Sequence, residues 1–284
     1  MVKKILGQCY IWLILLFMYI PIFVLIAYSF TTSKNVGVWT GFSFDLYVEL
    51  WQHEKIMIAL GNTLIIAITS ALVSTLLGTL GAIGAFYSSK RTRKAFDNVT
   101  QLPIANAEIV MALSVTVMFV FFGSYVFKTN LFSYWTLLIG HVVLSIPFVY
   151  ISVKPKLQQM DPSLYEAAID LGATPSQALR KVIIPETIPG IFSGFLLAIT
   201  LSLDDVVITE FTRGPGLLSG DSQIDTLSTY IQSVIKKSAI PPQLRALTTI
   251  IFLLVVLGVI GVTVSRYIKE RKLNDQRRRK VYGK

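Results

Sequence analysis

The sequence predicts an all-α, polytopic membrane protein with six transmembrane helices. Its 284 residues are 53% hydrophobic and only 15% charged, whereas a soluble domain carries roughly a quarter charged residues. Several apolar runs also reach the roughly 20 residues that a helix needs to cross a hydrocarbon core about 30 Å thick. We therefore interpret the apolar excess as surface that faces lipid, and we expect a single transmembrane domain over residues 1–284.

Six apolar runs define the expected spans. They lie near residues 10–30, 58–87, 104–122, 134–153, 188–208 and 244–267. The first run follows Lys3 and Lys4, exceeds the roughly 7–15 residues of a signal-peptide core, and has no clean cleavage site after it. We therefore expect it to remain in the protein as an anchor.

Basic residues are distributed unevenly between the connecting segments. Of the 26 Lys and Arg residues, 19 lie on the side of both termini and 7 on the other side. Loops rich in Lys and Arg stay in the cytoplasm, so both termini and the segment 161–189 are predicted to be cytoplasmic. The basic C-terminal tail is interpreted as a topology signal beside membrane lipid, with nucleic-acid binding as the weaker alternative.

The second span carries a stripe of small residues spaced four apart. The stripe consists of Ser70, Ser74, Gly78 and Ala82, with Gly81 and Gly84 beside it. Small residues at this spacing allow helix backbones to approach closely in lipid, so we predict a packing face. A glycine-rich phosphate loop is the alternative, but no GxxxxGK[ST] motif occurs in the chain.

The sequence contains no constellation that indicates bond chemistry. Cys9 and the two separated histidines, His53 and His141, do not provide the ligands of a zinc site. We therefore predict no catalytic residue, no metal and no cofactor in this chain, and we expect ATP and Mg²⁺ to bind a separate ATPase. His141 is interpreted as a hydrogen-bonding group in helix packing, with a proton carrier as the alternative.

The segment between the fourth and fifth spans contains the signals of two short helices. Asp161 is suited to cap a first helix that begins at Pro162, and Gly172 is suited to the left-handed position after its end. The run Thr174–Gln177 has the pattern of a capping box with proline at the first helical position. This pattern predicts a helix, a glycine corner and a second short helix.

Two prolines follow the second short helix. This helix is expected to run on to Ile184, and Pro185 and Pro189 are expected to end or kink it before the fifth span. An ordinary loop rarely carries two capped helices, so we interpret the segment as a docking element.

This segment resembles the EAA motif of ABC-importer permeases. Glu166-Ala167-Ala168 is followed by three residues and Gly172, then by nine residues and Val182-Ile183-Ile184-Pro185. The family pattern is EAA-x3-G-x9-I-x-L-P, so two aliphatic positions differ. The resemblance implies that the segment 161–189 is a coupling element that seats in a cleft of the partner ATPase. The implied coupling residues are Glu166, Ala167, Ala168, Asp170, Gly172, Ala173 and Pro185.

A wider resemblance covers nearly all of the chain from Trp39 onward. The matching stretches are Trp39-x-Gly41-Phe42, Tyr47, Glu108–Ala112, His141, Ile146–Val149 and Leu201–Val207. They are similar to the second permease subunit, of PotC type, of spermidine/putrescine ABC importers. The resemblance implies a type I ABC importer (MetI-like) permease fold in the bacterial plasma membrane, with polyamine import as its function. The outer loop 213–246 departs from the family pattern and is expected to face the binding protein.

The same resemblance implies the partners of the chain. They are a homologous second permease subunit, two ATPase subunits and an extracytoplasmic polyamine-binding protein. The alternatives are an importer of another small organic ion, a membrane enzyme, and a scaffold without a pathway. An enzyme would show a catalytic constellation, and a scaffold would not need a coupling segment.

Three carboxylates within the predicted spans are candidates for contact with substrate. Intramembrane carboxylates are costly and usually face a pathway or a partner. On a straight helix Asp204 lies about 22 Å beyond Pro189, so Asp204 and Asp205 are expected in the outer half of the bilayer. Glu108 is expected near the cytoplasmic start of the third span. The alternative is that Asp204 and Asp205 are structural and satisfy polar groups at a helix break.

Aromatic residues of the first outer loop could add cation–π contacts. A polyamine is a flexible chain of ammonium groups, and such groups bind over aromatic faces as well as beside carboxylates. Trp39, Phe42, Tyr47 and Trp51 could supply these faces, and Trp39 is the aromatic candidate for the substrate pathway.

Overall fold

The computed structural model describes residues 2–33, 35, 37–161, 163–214, 223–237 and 240–282. Within these residues the chain forms helices and their connections, without a strand. The helices are, in chain order, α1 (Val2–Ser29), α2 (Asp45–Gln52), α3 (Glu54–Tyr87), α4 (Lys90–Ala105), α5 (Glu108–Phe121), α6 (Tyr134–Gln159), α7 (Ser163–Asp170), α8 (Pro175–Ala178), α9 (Ile184–Asp204), α10 (Val207–Thr212), α11 (Leu227–Lys237) and α12 (Gln243–Tyr282). Two π-helical turns, Phe122–Phe127 and Leu179–Ile183, continue α5 and join α8 to α9. The all-α prediction is confirmed.

Parts of two predicted segments lie outside the described residues. They are Pro162, the predicted first residue of the coupling segment's first helix, and residues 215–222 and 238–239 of the outer loop.

Five helices of the described chain are long and apolar enough to cross a membrane. They are Leu6–Ser29, Glu54–Tyr87, Glu108–Phe127, Tyr134–Gln159 and Pro175–Asp204. These helices correspond to the first five predicted spans. The sixth predicted span falls within α12, whose described apolar part, Gln243–Gly258, is shorter.

The third span begins later than predicted. The sequence placed its start near residue 104, but α4 ends at Ala105 and α5 begins at Glu108. Asn106 and Ala107 both have extended backbones, with ψ of 149° and 136°, so the helix is broken between α4 and α5. The sequence reading missed α4 because four basic residues and an aspartate interrupt its apolar pattern.

The fifth span differs from the prediction at both ends. The helix does not end at Pro185 or Pro189, because α8, the π-helical turn and α9 are continuous from Pro175 to Asp204. Proline cannot donate a backbone hydrogen bond, and its ring crowds the carbonyl four residues earlier. The π-helical turn lies immediately before Pro185 and locally widens the helix at this point. At its other end the helix stops at Asp204, four residues before the predicted end at residue 208.

The contacts of the chain divide it into two units. The first unit comprises Met1–Glu54 and Ser238–Lys284, and the second comprises Lys55–Lys237. In the first unit α12 packs against α1 and α2. Gln243 Nε2 donates to Glu49 Oε2 at 2.8 Å, and Arg245 Nη1 donates to the carbonyl of Ser33 at 3.0 Å. These bonds fix the start of α12 to the rest of that unit.

In the second unit α6 packs along α9. Their shared core includes Val149, Val153 and Ala198, each of which is fully buried. The small-residue stripe of α3 packs against α6, since a Cβ added to Gly78 would lie 2.7 Å from Val149 Cβ. The packing face predicted for α3 is therefore present. Its flanking glycines, Gly81 and Gly84, have no atom within 4 Å of an added Cβ and lie outside this contact.

Candidate functional site

Two helix breaks of the second unit meet at one cavity. The break between α4 and α5 and the break between α9 and α10 both contribute to a cavity of about 300 Å³. Its lining residues are Pro103, Ile104, Asn106, Glu108, Leu144, Phe148, Thr200, Leu201, Asp204 and Asp205. The structure therefore brings together three of the four residues predicted for the substrate pathway. No Lys or Arg lines this cavity in the part of the chain that the structure describes.

Asp205 occupies the break between α9 and α10 and caps α10. Its backbone is extended, with φ −65° and ψ 127°. Its Oδ1 accepts from the backbone N–H of Ile208 at 3.1 Å, and its Oδ2 accepts from the N–H and the hydroxyl of Thr209, both at 2.8 Å. A carboxylate that accepts the first N–H groups of a helix satisfies donors that have no partner within the helix. Asp205 is buried and structural, as the alternative interpretation of the sequence allowed.

Asp204 differs from its neighbour in exposure. It is the last residue of α9 and is exposed to the cavity, whereas Asp205 is only 4% exposed. The prediction of a straight helix through both residues is wrong because Asp205 leaves the helix to cap α10. Of the two adjacent carboxylates, Asp204 is therefore the one available to a ligand in the cavity.

His141, on α6, is connected through buried hydroxyl groups to α3, α9 and α10 at the break between α9 and α10. We call the set Ser70, His141, Ser202, Asp205 and Thr209 the histidine network. His141 Nδ1 lies 2.8 Å from Ser202 Oγ, which lies 3.2 Å from Ser70 Oγ on α3. His141 Nε2 lies 3.0 Å from Thr209 Oγ1 and 3.5 Å from Asp205 Oδ2. The His141 side chain is fully buried, so the predicted hydrogen-bonding role in helix packing agrees with its surroundings.

Glu108 is the first residue of the third span, where the sequence predicts it. It shares the cavity with Leu144 and Phe148, which occupy the middle of α6. The preceding helix, α4, packs against α6. Glu108 is exposed to the cavity at the first position of α5.

Asp97 fixes α4 against α6. Its Oδ1 accepts from Lys154 Nζ at 2.6 Å and from the Tyr150 hydroxyl at 2.8 Å. Burial alone would raise the pKa of Asp97, but the hydrogen bonds from Lys154 and Tyr150 outweigh it and lower the pKa below its ordinary value. This ion pair positions the helix that leads to the break at Asn106.

The fourth residue predicted for the pathway, Trp39, belongs to the first unit. Its ring is half-exposed and meets the ring of Tyr28 edge to face at 6.3 Å. Trp39 is not among the residues that line the cavity of the second unit. The neighbouring Phe42 and Tyr47 pack around Phe30, with ring centroids 5.4 Å from it in each case, so these two aromatic residues stabilise the connection between α1 and α2.

The coupling segment contains both predicted caps. Asp161 Oδ1 accepts from the backbone and side chain of Ser163 at 3.0 and 2.8 Å, and these bonds lower the pKa of its carboxyl. Thr174 Oγ1 accepts from the Gln177 N–H at 3.3 Å, and Gln177 Oε1 accepts from the Thr174 N–H at 2.9 Å. Thr174 and Gln177 therefore form the predicted capping box.

Gly172 forms the predicted corner of the coupling segment. Its φ is +86°, in the left-handed region that favours glycine. The N–H of Gly172 bonds to the carbonyl of Ile169 at 2.8 Å, and the N–H of Ala173 bonds to that of Ala168 at 3.0 Å. This pair of bonds is a Schellman motif, which satisfies carbonyl groups at the end of α7.

Most of the predicted coupling residues are accessible to a partner. Glu166, Ala167, Asp170, Gly172 and Pro185 are exposed, whereas Ala168 and Ala173 are half-buried. The sequence reading missed Leu171, whose side chain is 89% exposed beside the glycine corner. The sequence carries a signal for Leu171, because it is an apolar residue immediately before Gly172, the glycine predicted to be left-handed.

An aromatic contact connects the coupling segment to α3. The rings of Tyr165 on α7 and Tyr87 on α3 lie 5.3 Å apart. Phe86, next to Tyr87, carries the guanidinium of Arg93 over its ring at 5.5 Å. The sequence does not predict the contact between the two tyrosines because they are far apart along the chain.

Comparison with known proteins identifies the family of this chain. The model of a family described as binding-protein-dependent transport system inner membrane component matches residues 75–274. The chain is 32% identical over 272 residues to the spermidine/putrescine transport system permease protein PotC of Escherichia coli K12, covering 96% of this chain and 97% of that protein. It is 33% identical over 272 residues to the putrescine transport system permease protein PotI of the same strain, covering 93% and 92%.

Solved structures have the same fold. A bacterial ABC transporter involved in the import of the acidic polysaccharide alginate matches with a TM-score of 0.67 at 15% identity, covering 94% of this chain and 96% of that chain. A bacterial alginate ABC transporter in complex with a pentasaccharide-bound periplasmic protein matches with a TM-score of 0.65 at 22% identity, covering 92% and 91%. At these identities the likeness concerns the fold, and the predicted ABC importer permease fold is confirmed. The chain therefore belongs to the family of binding-protein-dependent transport system inner membrane components.

Proposed function

We propose that this chain is a permease subunit of an ATP-driven importer that carries polyamines of the spermidine and putrescine class into the cytoplasm. The names of the bacterial relatives support the substrate class. The cavity between the two helix breaks supports it independently, through its chemistry.

The observation that carries the proposal is the composition of the cavity lining. Glu108 and Asp204 are exposed to the cavity, Asp205 borders it, and no basic side chain lines it in the described residues. In a low-dielectric surrounding, carboxylates with no basic side chain in the same lining favour a cation and oppose an anion.

The apolar part of the lining suits the rest of a polyamine. A polyamine alternates ammonium groups with short methylene chains, so it needs both negative and apolar contacts. Leu144, Leu201 and Phe148 line the cavity beside the carboxylates, and the ring of Phe148 could also bind an ammonium group on its face. A single inorganic cation would gain no apolar contact from the side chains of Leu144 and Leu201.

The proposed mechanism places ATP hydrolysis on separate subunits. The exposed face of the coupling segment, with Glu166, Leu171 and Gly172, would dock on an ATPase subunit. Movement there would reach α3 through the contact of Tyr165 with Tyr87. A homologous permease, two ATPase subunits and an extracytoplasmic polyamine-binding protein would complete the importer, with both termini and the coupling segment in the cytoplasm of a bacterium.

Reconstitution tests this function directly. The assembled importer is placed in proteoliposomes with its binding protein, and uptake of labelled spermidine and putrescine is measured with and without ATP. We expect ATP-dependent uptake that unlabelled polyamines compete away and that amino acids or anionic oligosaccharides do not. ATP-dependent uptake of one of those other solutes, without polyamine uptake, would overturn the proposed substrate class.

A further inference from the structure

The hydrogen bonds of the histidine network have a direction. Each serine or threonine hydroxyl has a single proton to donate. Thr209 Oγ1 donates its proton to Asp205 Oδ2 at 2.8 Å. The same oxygen lies 3.0 Å from His141 Nε2, so it must accept a proton from that nitrogen.

The other end of the network agrees with this direction. Ser70 Oγ lies 3.2 Å from Ser202 Oγ and 3.3 Å from the carbonyl of Ala67. Donation over the shorter distance, to Ser202, leaves the Ser202 proton for His141 Nδ1 at 2.8 Å. The imidazole of His141 therefore accepts at Nδ1 and donates at Nε2. We infer from the bond pattern that it is neutral, with its proton on Nε2.

Burying the polar side chains of the histidine network costs free energy that an apolar core would not cost. All five members are at most 4% exposed, and buried polar groups cost free energy unless they are fully hydrogen-bonded. Here the hydrogen bonds end at Asp205 and Thr209, the pair that forms the start of α10. His141, on α6, is the member of the network that donates to this pair from outside α9 and α10.

We propose that His141 is a positioning residue of the substrate pathway. By donating to Thr209, next to Asp205, it fixes the break between α9 and α10, and thereby fixes the direction in which Asp204 faces the cavity. The proposal rests on the proposed function in one respect, because it takes Asp204 as the group that meets the cation. It assigns no proton transfer to His141, whose two nitrogens are both occupied within the network.

The tautomer of His141 can be measured without any transport assay. The chain contains two histidines, so labelling this chain alone with ¹⁵N-histidine and assembling it with unlabelled partner subunits gives two ring systems, and a His53→Gln variant assigns them. We expect the spectrum of a neutral imidazole with protonated Nε2 and unprotonated Nδ1. An imidazolium, or a proton on Nδ1, would overturn the network as described, whatever the substrate is.

Two conservative variants test the roles of Nδ1 and Nε2 of His141 separately. His141→Gln can place an amide N–H near the position of Nε2, and His141→Asn can place a carbonyl oxygen near that of Nδ1. We expect the Gln variant to keep a KM for spermidine close to that of the unmodified importer. The Asn variant should raise KM about tenfold, the factor for losing one hydrogen bond to the capping pair.

Ser145 provides the matched control. It lies one turn further along α6 and is fully buried, and its hydroxyl group makes no hydrogen bond within the described residues. Ser145→Ala should leave KM and assembly unchanged. Equal KM values for the Gln and Asn variants would overturn the positioning role, and absence of polyamine uptake in the unmodified importer would instead overturn the proposed function.

Discussion

The carboxylate of Asp205 accepts both the backbone N–H and the hydroxyl of Thr209, each at 2.8 Å. This pair forms the start of α10 and commits Asp205 to the protein, although Asp204 beside it is free to meet a ligand. Two adjacent residues of the same type therefore have different roles, and the difference arises because the helix stops between them.

The capping role of Asp205 predicts a loss of stability on substitution. Asp205→Ala removes an acceptor from two N–H groups and should destabilise the assembled importer by about 0.5–2 kcal/mol. Thermal unfolding of the purified complex measures this effect. Thr200→Ala, at an exposed position lining the same cavity, is the control and should unfold as the unmodified protein does. Equal unfolding temperatures for the two variants would contradict the capping role.

The glycine corner predicts a loss of coupling. Gly172→Val forces a branched side chain into a left-handed conformation at a cost of about 1–2 kcal/mol. We expect normal insertion into the membrane, with transport and stimulation of the ATPase both strongly reduced. Glu166→Lys on the exposed face of α7 should weaken ATPase binding without backbone strain.

A second glycine is the control for the corner. Gly84→Val in α3 changes the side chain in the same way, but Gly84 has neither a positive φ nor a close neighbour. It should transport normally. Normal transport by both the Gly172 and Glu166 variants would remove the mechanical role assigned to this segment.

The close approach of α3 to α6 predicts sensitivity to overpacking. A Cβ at position 78 would lie 2.7 Å from Val149 Cβ, so Gly78→Ala should destabilise the second unit by about 1–3 kcal/mol. Gly81→Ala on the same helix meets no atom within 4 Å and should be neutral. Val149→Gly removes both side-chain atoms that the added Cβ would meet, so it should cost less stability in Gly78→Ala than in the unmodified protein. An equal cost in the two backgrounds would contradict the contact between the two helices at this point.

The ion pair of Asp97 predicts a pH-dependent stability. Because its pKa is lowered in the folded state, its stabilisation is complete above the ordinary aspartate pKa and is lost as pH falls through the lowered value. The difference in unfolding temperature between the unmodified protein and Asp97→Asn should therefore be constant near neutral pH and shrink in acid below about pH 4. A difference that grows as pH falls would contradict the ion pair between Asp97 and Lys154.

The sequence predicts the local features of this fold better than its breaks. Caps and the glycine corner depend on neighbours within a few residues, so Thr174, Gln177 and Gly172 could be assigned from the pattern alone. The break at Asn106 has no such signal, and Pro185 suggested an end where the helix continues through a π-helical turn. Apolar periodicity indicates which residues can be buried, but it does not say where a helix is interrupted.

The residues of the candidate site could be predicted from the sequence, but their separate roles could not. Intramembrane carboxylates stand out in an apolar sequence, so Glu108, Asp204 and Asp205 were all identified. Their separate roles depend on contacts between α6, α9 and α10 that lie more than 60 residues apart along the chain. Trp39 is a candidate because of its residue type and its place in the predicted first outer loop, and its surroundings in the first unit could not be read from the sequence.

The charge of Asp204 is the property on which the proposed pathway depends most. Asp204→Asn keeps the shape and polarity of the side chain and removes only its charge, so it separates electrostatic attraction from packing. Initial uptake of spermidine and putrescine is measured in proteoliposomes at matched levels of assembled importer, with Ser145→Ala, outside the cavity lining, as the control. We predict that Asp204→Asn lowers uptake at least about tenfold, the factor for roughly 1.4 kcal/mol of lost interaction, while assembly and basal ATPase activity stay unchanged. Uptake at the unmodified rate would contradict the account, because the exposed carboxylate of Asp204 would then have no part in moving the cation.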